Sequence, residues 1–217
     1  MEPKKIKIRT GANLSSILQS TVNIPQAFTE LVKNSIQNVA TYIKIYLNED
    51  SCVILDDGIG FDDLVDNSGM TGFEKYFVFG NSYAQDGSGI RLGHMGIGGK
   101  ISNDKLSLSK DPSWTIETKN KHGRCYIINY EPGIDTEFLD DYEPEIREIS
   151  IEECSIDTTT GTKVTINRLD SQIQDNGWPR APVMNGLKHF FGALVMNLEK
   201  EEKPLSIYVD DEPLDFN

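Results

Sequence analysis

Apolar side chains recur at helical spacing between residues 24 and 40. In IPQAFTELVKNSIQNVA, Ile24, Phe28, Leu31, Val32 and Val39 share one broad face with the small Ser35. That period predicts a helix over 24–40, with Asn23 as its N-cap and Pro25 in its first turn. The period then shortens. YIKIYL at 42–47 alternates, as a half-buried strand does, and Asn48-Glu49-Asp50 supplies a turn. CVIL at 52–55 is a continuous apolar run, the pattern of a buried strand. Further strands are predicted at 4–8, 105–109, 114–118, 124–130, 163–166 and 205–209, and helices at 14–20 and 182–199. The acidic stretch 131–153 reads as solvated surface chain. Asp210-Asp211-Glu212-Pro213 predicts a last turn, and the stop at Asn217 directly after it suggests a piece of a longer protein.

Residues 61–104 break this regularity. They hold nine glycines among short helical pieces and turn residues. So long and glycine-rich a segment inside a compact domain is usually functional, and it is read here as a lid. The whole chain, 1–217, is then one domain.

Composition narrows the function classes. The 217 residues carry 21 Lys+Arg against 34 Asp+Glu, a formal net charge of −13. Such a surface argues against direct binding of nucleic acid through its phosphates. It does not bear on a small anion held locally by one loop and a metal ion. Three cysteines (Cys52, Cys125, Cys154) and three histidines form no ligand spacing, so neither a zinc site nor a disulfide framework is expected. No signal-like or membrane-spanning apolar run is visible. A cytoplasmic protein with reduced thiols is the simplest reading.

Four segments bring candidate chemistry. In the predicted helix, Glu30, Asn34 and Gln37 fall within roughly a 60° arc at about 100° per residue. They lie opposite the apolar face. Such an arc serves either as a solvated surface or as a carboxylate and an amide aimed into a cleft. A carboxylate can take a proton from water, and an amide oxygen suits Mg²⁺. Asp56-Asp57-Gly58-Ile59-Gly60 follows the buried strand. It reads as a turn, or as a buried acceptor, Asp56, for the exocyclic amino group of a purine, with Gly58 and Gly60 letting backbone pass under the base. Gly93-His94-Met95-Gly96-Ile97-Gly98-Gly99-Lys100 can converge backbone N–H groups on an anion, aided by a helix N-terminus if a helix opens near Ile97 or Gly98. In Gly161-Thr162-Lys163-Val164-Thr165-Ile166, a turn enters a strand, and the Thr162 hydroxyl can sit at a pocket floor.

In their order and spacing, ELVKNS, DDGIGF, GHMGIGGK and GTKVTI resemble the GHKL superfamily of ATPases, which holds gyrase B, heat-shock chaperone N-domains, histidine kinases, MutL and MORC proteins. The first two motifs are most similar to the MutL/MORC-like branch, the last two to chaperone and MORC versions. The resemblance covers about residues 15–168. It implies an α/β (α+β) two-layer sandwich of the Bergerat type: a mixed, mainly antiparallel sheet, helices on one face, and a glycine-rich lid over ATP. It implies Mg²⁺-dependent hydrolysis of ATP to ADP and phosphate. Glu30 matches the general base and Asn34 the Mg²⁺ ligand. Asp56 matches the carboxylate that binds the adenine amino group, and Gly58 and Gly60 the glycines near the base. Gly93, Gly96 and Gly98 match the lid glycines around the phosphates. Thr162 matches the threonine near adenine, and Lys100 falls where some members carry a phosphate-facing lysine. The resemblance further implies lid closure and an ATP-dependent homodimer.

One departure concerns turnover. Where the family has Asp-Ala shortly after Asn34-Ser35, this chain has Gln37-Asn38. The family's gyrase- and MutL-like members also complete the site with a lysine from a following domain. A nucleotide-sensing interaction module with little hydrolysis is therefore the second reading. A histidine kinase is not expected, since no histidine precedes Glu30.

Overall fold

The structure is a computed structural model that describes residues 4–5, 21–65, 69–77, 98–109, 111–132, 144–202 and 204–216. The first long helix, α1 (Ile24–Gln37), starts where its sequence dictates. The Asn23 side chain accepts from the Gln26 N–H at 2.9 Å, and the Gln26 side chain accepts from the Asn23 N–H at 2.9 Å. This reciprocal box satisfies two of the donors left open at a helix start. Phe28, Leu31, Val32 and Ser35 are buried as the period predicts. Val39 is not: it lies beyond the helix end, has φ +62° and is half exposed. The chain must leave α1 sharply to enter the sheet, and that turn takes Val39 off the apolar face.

Among the described residues nine strands form one sheet. In chain order they are β1 (Lys4–Lys5), β2 (Tyr42–Leu47), β3 (Cys52–Asp56), β4 (Trp114–Lys119), β5 (Cys125–Tyr130), β6 (Glu145–Ile149), β7 (Gly161–Ile166), β8 (Ser206–Val209) and β9 (Glu212–Pro213). Their spatial order is β1-β6-β5-β4-β7-β3-β2-β8-β9. Every neighbouring pair is antiparallel except β2 with β8. The mixed, mainly antiparallel sheet of the predicted two-layer fold is therefore present. The helices α2 (Gly72–Phe77), α3 (Gly98–Leu106), α4 (Ser171–Asn176) and α5 (Arg180–Lys200) complete it, and α1 packs against both α3 and α5.

Three elements differ from the sequence pattern. Residues 105–106, predicted as strand, end α3, and Ser107 keeps a single bridge to Leu169. The alternation in KLSLS is real, but α3 uses it to bury Leu106. Strand β6 lies inside the stretch predicted as surface chain. Its EIREI alternates in an acidic setting, and it buries Ile146 and Ile149 between β5 and β1. The short helix α4, capped by Asp170, has too few residues to show a period. The helix predicted at 14–20 lies outside the described residues, as do residues 6–8 of the first predicted strand.

The core fills the space between sheet and helices. Trp114 stacks on Tyr130 with ring centroids 4.4 Å apart, and Phe77 stacks on Trp114 at 6.1 Å. Phe61, Phe73 and Phe77 are also buried, so the described ends of the predicted lid are anchored in the core. Each such ring contributes roughly 1.5–3 kcal/mol by leaving water.

Candidate nucleotide site

Strand order creates the site. Because β3 and β7 are neighbours, the last residue of β3 faces the second of β7: Asp56 pairs with Thr162. The Asp56 carboxylate is buried. Its Oδ2 accepts from the Ser35 hydroxyl at 2.7 Å, and its Oδ1 accepts from the N–H groups of Gly58 at 2.9 Å and Thr162 at 3.2 Å. A carboxylate offers about four acceptor positions, so capacity remains for one more donor. Burial pushes its pKa from the ordinary 3.8 up to about 6, against the three hydrogen bonds, which act to lower it. At neutral pH the group is an anion, and it lines a cavity.

That cavity measures about 740 Å³. Glu30, Asn34, Asp56, Gly98 and Thr162 line it, so five of the residues singled out by sequence meet at one place. Glu30 and Asn34 stand one turn apart on α1. The Glu30 carboxylate forms an ion pair with Lys33. Gly98 opens α3 directly against it: a Cβ at Gly98 would come within 2.3 Å of Glu30 Oε2. The Thr162 hydroxyl is buried and has no hydrogen-bond partner among the described residues. A buried polar atom left this way is an unmet demand of roughly 1–3 kcal/mol, and a ligand in the cavity can meet it.

Other predicted positions fall elsewhere. Gly58 and Gly60 do not line the cavity. Gly58 supports Asp56 through its N–H. Gly60 has φ +70°, and a Cβ there would lie 2.4 Å from the Lys119 carbonyl oxygen. Its role is to let β3's exit pass close over β4. Lys100 does not face the cavity in this structure. Its ammonium is buried against Asp104 at 2.7 Å and sits 5.0 Å from the centre of the Tyr130 ring. The i,i+4 spacing on α3 turns it into the core. Gly93 and Gly96 lie outside the described residues.

Sequence reasoning missed several contributors. Ser35 was placed on the apolar face for its size, yet its hydroxyl anchors Asp56 to α1. Its position among apolar residues was the available signal. Asp57, adjacent to Asp56, accepts from the Thr41 N–H and hydroxyl and the Tyr42 N–H, tying β3's end to the start of β2. Tyr76 lines the cavity and accepts from the Asn103 amide at 2.9 Å.

The donor set fits a magnesium nucleotide. Asn34 offers an amide oxygen, the ligand type of a hard cation that keeps most of its water, Glu30 offers a carboxylate able to take a proton from water, and Thr162 offers a hydroxyl without a partner among the described residues. Among the described residues one other group, Asp62, Asp63 and His122, has metal-ligand character. It lies off the cavity, and its carboxylates are engaged by Lys121, Arg124 and Asn120.

A family model described as histidine kinase-, DNA gyrase B- and HSP90-like ATPase matches residues 22–162. The ATPase and transducer domains of DNA topoisomerase II from Balamuthia mandrillaris share the fold at a TM-score of 0.57 and 20% identity, over 88% of this chain and 48% of that one. The ATPase region of Saccharomyces cerevisiae topoisomerase II does so at 0.56 and 17%, over 88% and 49%. The chain thus spans about half the length of these solved relatives. No curated protein matches it in sequence.

Proposed function

Because this chain belongs to the histidine kinase-, DNA gyrase B- and HSP90-like ATPase family, we propose that its cavity binds ATP with Mg²⁺ and hydrolyses it to ADP and phosphate. The observation that carries this reading is the pairing of Asp56 with Thr162 on the cavity lining. An anionic, buried Asp56 with spare acceptor capacity lies beside an unpartnered Thr162 hydroxyl, which is a recognition pair for an amino-bearing purine. Glu30 stands on the cavity wall, where it would orient water and take its proton. Asn34 would hold the metal ion, which when bound neutralises charge on the phosphate chain. Lys33 fixes the Glu30 carboxylate from the same helix.

Within the family, the motif likeness supports the MutL/MORC-like and chaperone-like branches. It also supports lid closure and an ATP-dependent homodimer of the intact protein, which light scattering with a non-hydrolysable ATP analogue tests. The acidic charge and buried Cys52 and Cys125 support a cytoplasmic site of action without direct nucleic-acid binding. No helix among the described residues is long and apolar enough to cross a membrane.

Gln37 favours one alternative. It lines the cavity near where the family carries an acid, so a nucleotide-sensing module with little turnover is the second reading. Phosphate release separates the two. An ATPase loses about 10²–10⁴-fold of its rate in Glu30→Ala, the usual contribution of a general base, while still binding nucleotide. A sensor shows no wild-type rate to lose.

A further inference from the structure

The two hydroxyl groups of α1 each find a protein partner. Thr29 donates to the Pro25 carbonyl at 3.0 Å, the back-bond usual for a helical hydroxyl, and Ser35 donates to Asp56 Oδ2 at 2.7 Å. Ser102 on α3 does not. It is 1% exposed, its Oγ has no hydrogen-bond partner among the described residues, and it lines the cavity. Its position within α3 gives that oxygen a direction. Ser102 lies four residues after Gly98 and three after Gly99, so all three share a face. Both glycines line the same cavity. Side chains on a helix lean toward its N-terminus, so Ser102 leans over the first turn of α3. There the open backbone N–H groups and the helix dipole favour an anion.

The geometry points to Ser102 as a phosphate-binding residue, whose hydroxyl donates to an oxygen of the nucleotide's phosphate chain at the N-terminus of α3. The inference rests on the ATP reading above. It explains why a helix already burying Lys100, Asn103 and Asp104 also carries a buried hydroxyl that no group among the described residues satisfies. The hydroxyl is unpartnered without ligand and acquires its partner on binding. Alanine in its place would remove an unsatisfied group from the free protein and a hydrogen bond from the complex.

The test is calorimetric titration of the 217-residue chain with adenosine, AMP, ADP and a non-hydrolysable ATP analogue in Mg²⁺, for wild type, Ser102→Ala and Ser102→Cys. Urea unfolding of each free protein runs beside it. Ser102→Ala is expected to weaken the phosphate-bearing ligands by about tenfold or more, the scale of a hydrogen bond to a charged group. Adenosine affinity stays unchanged, and the unfolding midpoint of the free protein stays level or rises. Ser102→Cys, a weaker donor of similar shape, falls between. Equal affinity of Ser102→Ala and wild type for all four ligands overturns the inference. So does an equal loss that includes adenosine, which would put Ser102 against the nucleoside, and so does a lowered midpoint, which would make its role structural. Wild type that binds none of the four defeats the ATP reading itself, and the inference with it.

Discussion

The Ser35 hydroxyl donates to Asp56 Oδ2 at 2.7 Å, joining the middle of α1 to the end of β3. Through this bond the helix that carries Glu30 and Asn34 is registered against the strand that carries the buried acid. Removing the donor acts on both parts. Ser35→Ala is expected to destabilise the free protein by about 1–3 kcal/mol, because a buried acceptor loses a partner. It also raises the Asp56 pKa further, since the Ser35 bond is the largest influence holding it down. Urea unfolding and the pH profile of nucleotide affinity check the two effects.

Asp56 trades stability for recognition. Its folded pKa of about 6 lies above the ordinary 3.8, so the folded state holds the proton more tightly than the unfolded chain. Between about pH 4 and 6 the unfolded chain ionises first, and stability falls as pH rises through that window. The loss is about 3 kcal/mol and is complete above the folded pKa. Asp56→Asn keeps an acceptor for the Gly58 and Thr162 N–H groups and lets Ser35 reverse its bond. The free variant is therefore expected to melt on the order of 5–10 °C above wild type at pH 7.5, with the gap closing toward pH 4. Calorimetric melting across pH 4–8 reads this directly.

Nucleotide affinity is expected to follow the same group with the opposite sense. On the proposed reading the carboxylate anion accepts from the base's amino group, so binding is expected to weaken as pH falls through about 6. Titration with ADP at pH 5 and pH 7.5 shows it; flat affinity across that interval would mean that Asp56 does not face the base.

Two glycines with little room, Gly98 and Gly60, predict different failures. At Gly98 an added Cβ meets the Glu30 carboxylate, a movable side chain, at 2.3 Å. Gly98→Ala is expected to displace Glu30 and lower turnover more than it lowers stability. At Gly60 the Cβ meets the Lys119 backbone at 2.4 Å from a left-handed conformation. Gly60→Ala therefore destabilises by more than the 1–2 kcal/mol usual for that conformation alone. Comparing kcat with the urea midpoint in both variants separates the roles.

Lys100 is expected to act on stability before it acts on ligand. Among the described residues, Lys100→Met leaves the fully buried Asp104 with only the Trp114 indole N–H at 2.8 Å as partner. Breaking a buried pair from one side costs about 3–5 kcal/mol. Replacing Asp104 as well, by Leu, is expected to recover part of that loss in urea unfolding.

Much of this was legible in the sequence, for reasons specific to each element. The box formed by Asn23 and Gln26 and the alternation of YIKIYL act locally, so α1 and β2 were plain. Glu30 and Asn34 were legible because helix period alone places them on one face. Asp56 and Thr162 belong to separate motifs, and that they are partners depends on β7 lying beside β3, which no local pattern encodes. Lys100 misled for the same reason. Its place in a glycine-rich phosphate-loop motif suggested the cavity, while its i,i+4 partner Asp104 and the Tyr130 ring, brought in by β5, draw it into the core. Ser35 carries no sequence signal beyond a small polar residue in an apolar helix face, and Ser102 none beyond following two glycines by one turn. Their meaning comes from what stands opposite.

The most direct measurement is thermal unfolding of the 217-residue chain at pH 7.5, with and without Mg²⁺ and a non-hydrolysable ATP analogue, for wild type and Asp56→Asn. A ligand of the native state at one hundred times its Kd stabilises by about 2.7 kcal/mol, a rise of roughly 5–10 °C for a domain of this size. The account predicts that rise in wild type and none in Asp56→Asn, although the variant starts from the higher melting temperature. Equal rises in both proteins, or no rise in folded wild type at millimolar nucleotide, would contradict the assignment of the cavity as an ATP site read by Asp56.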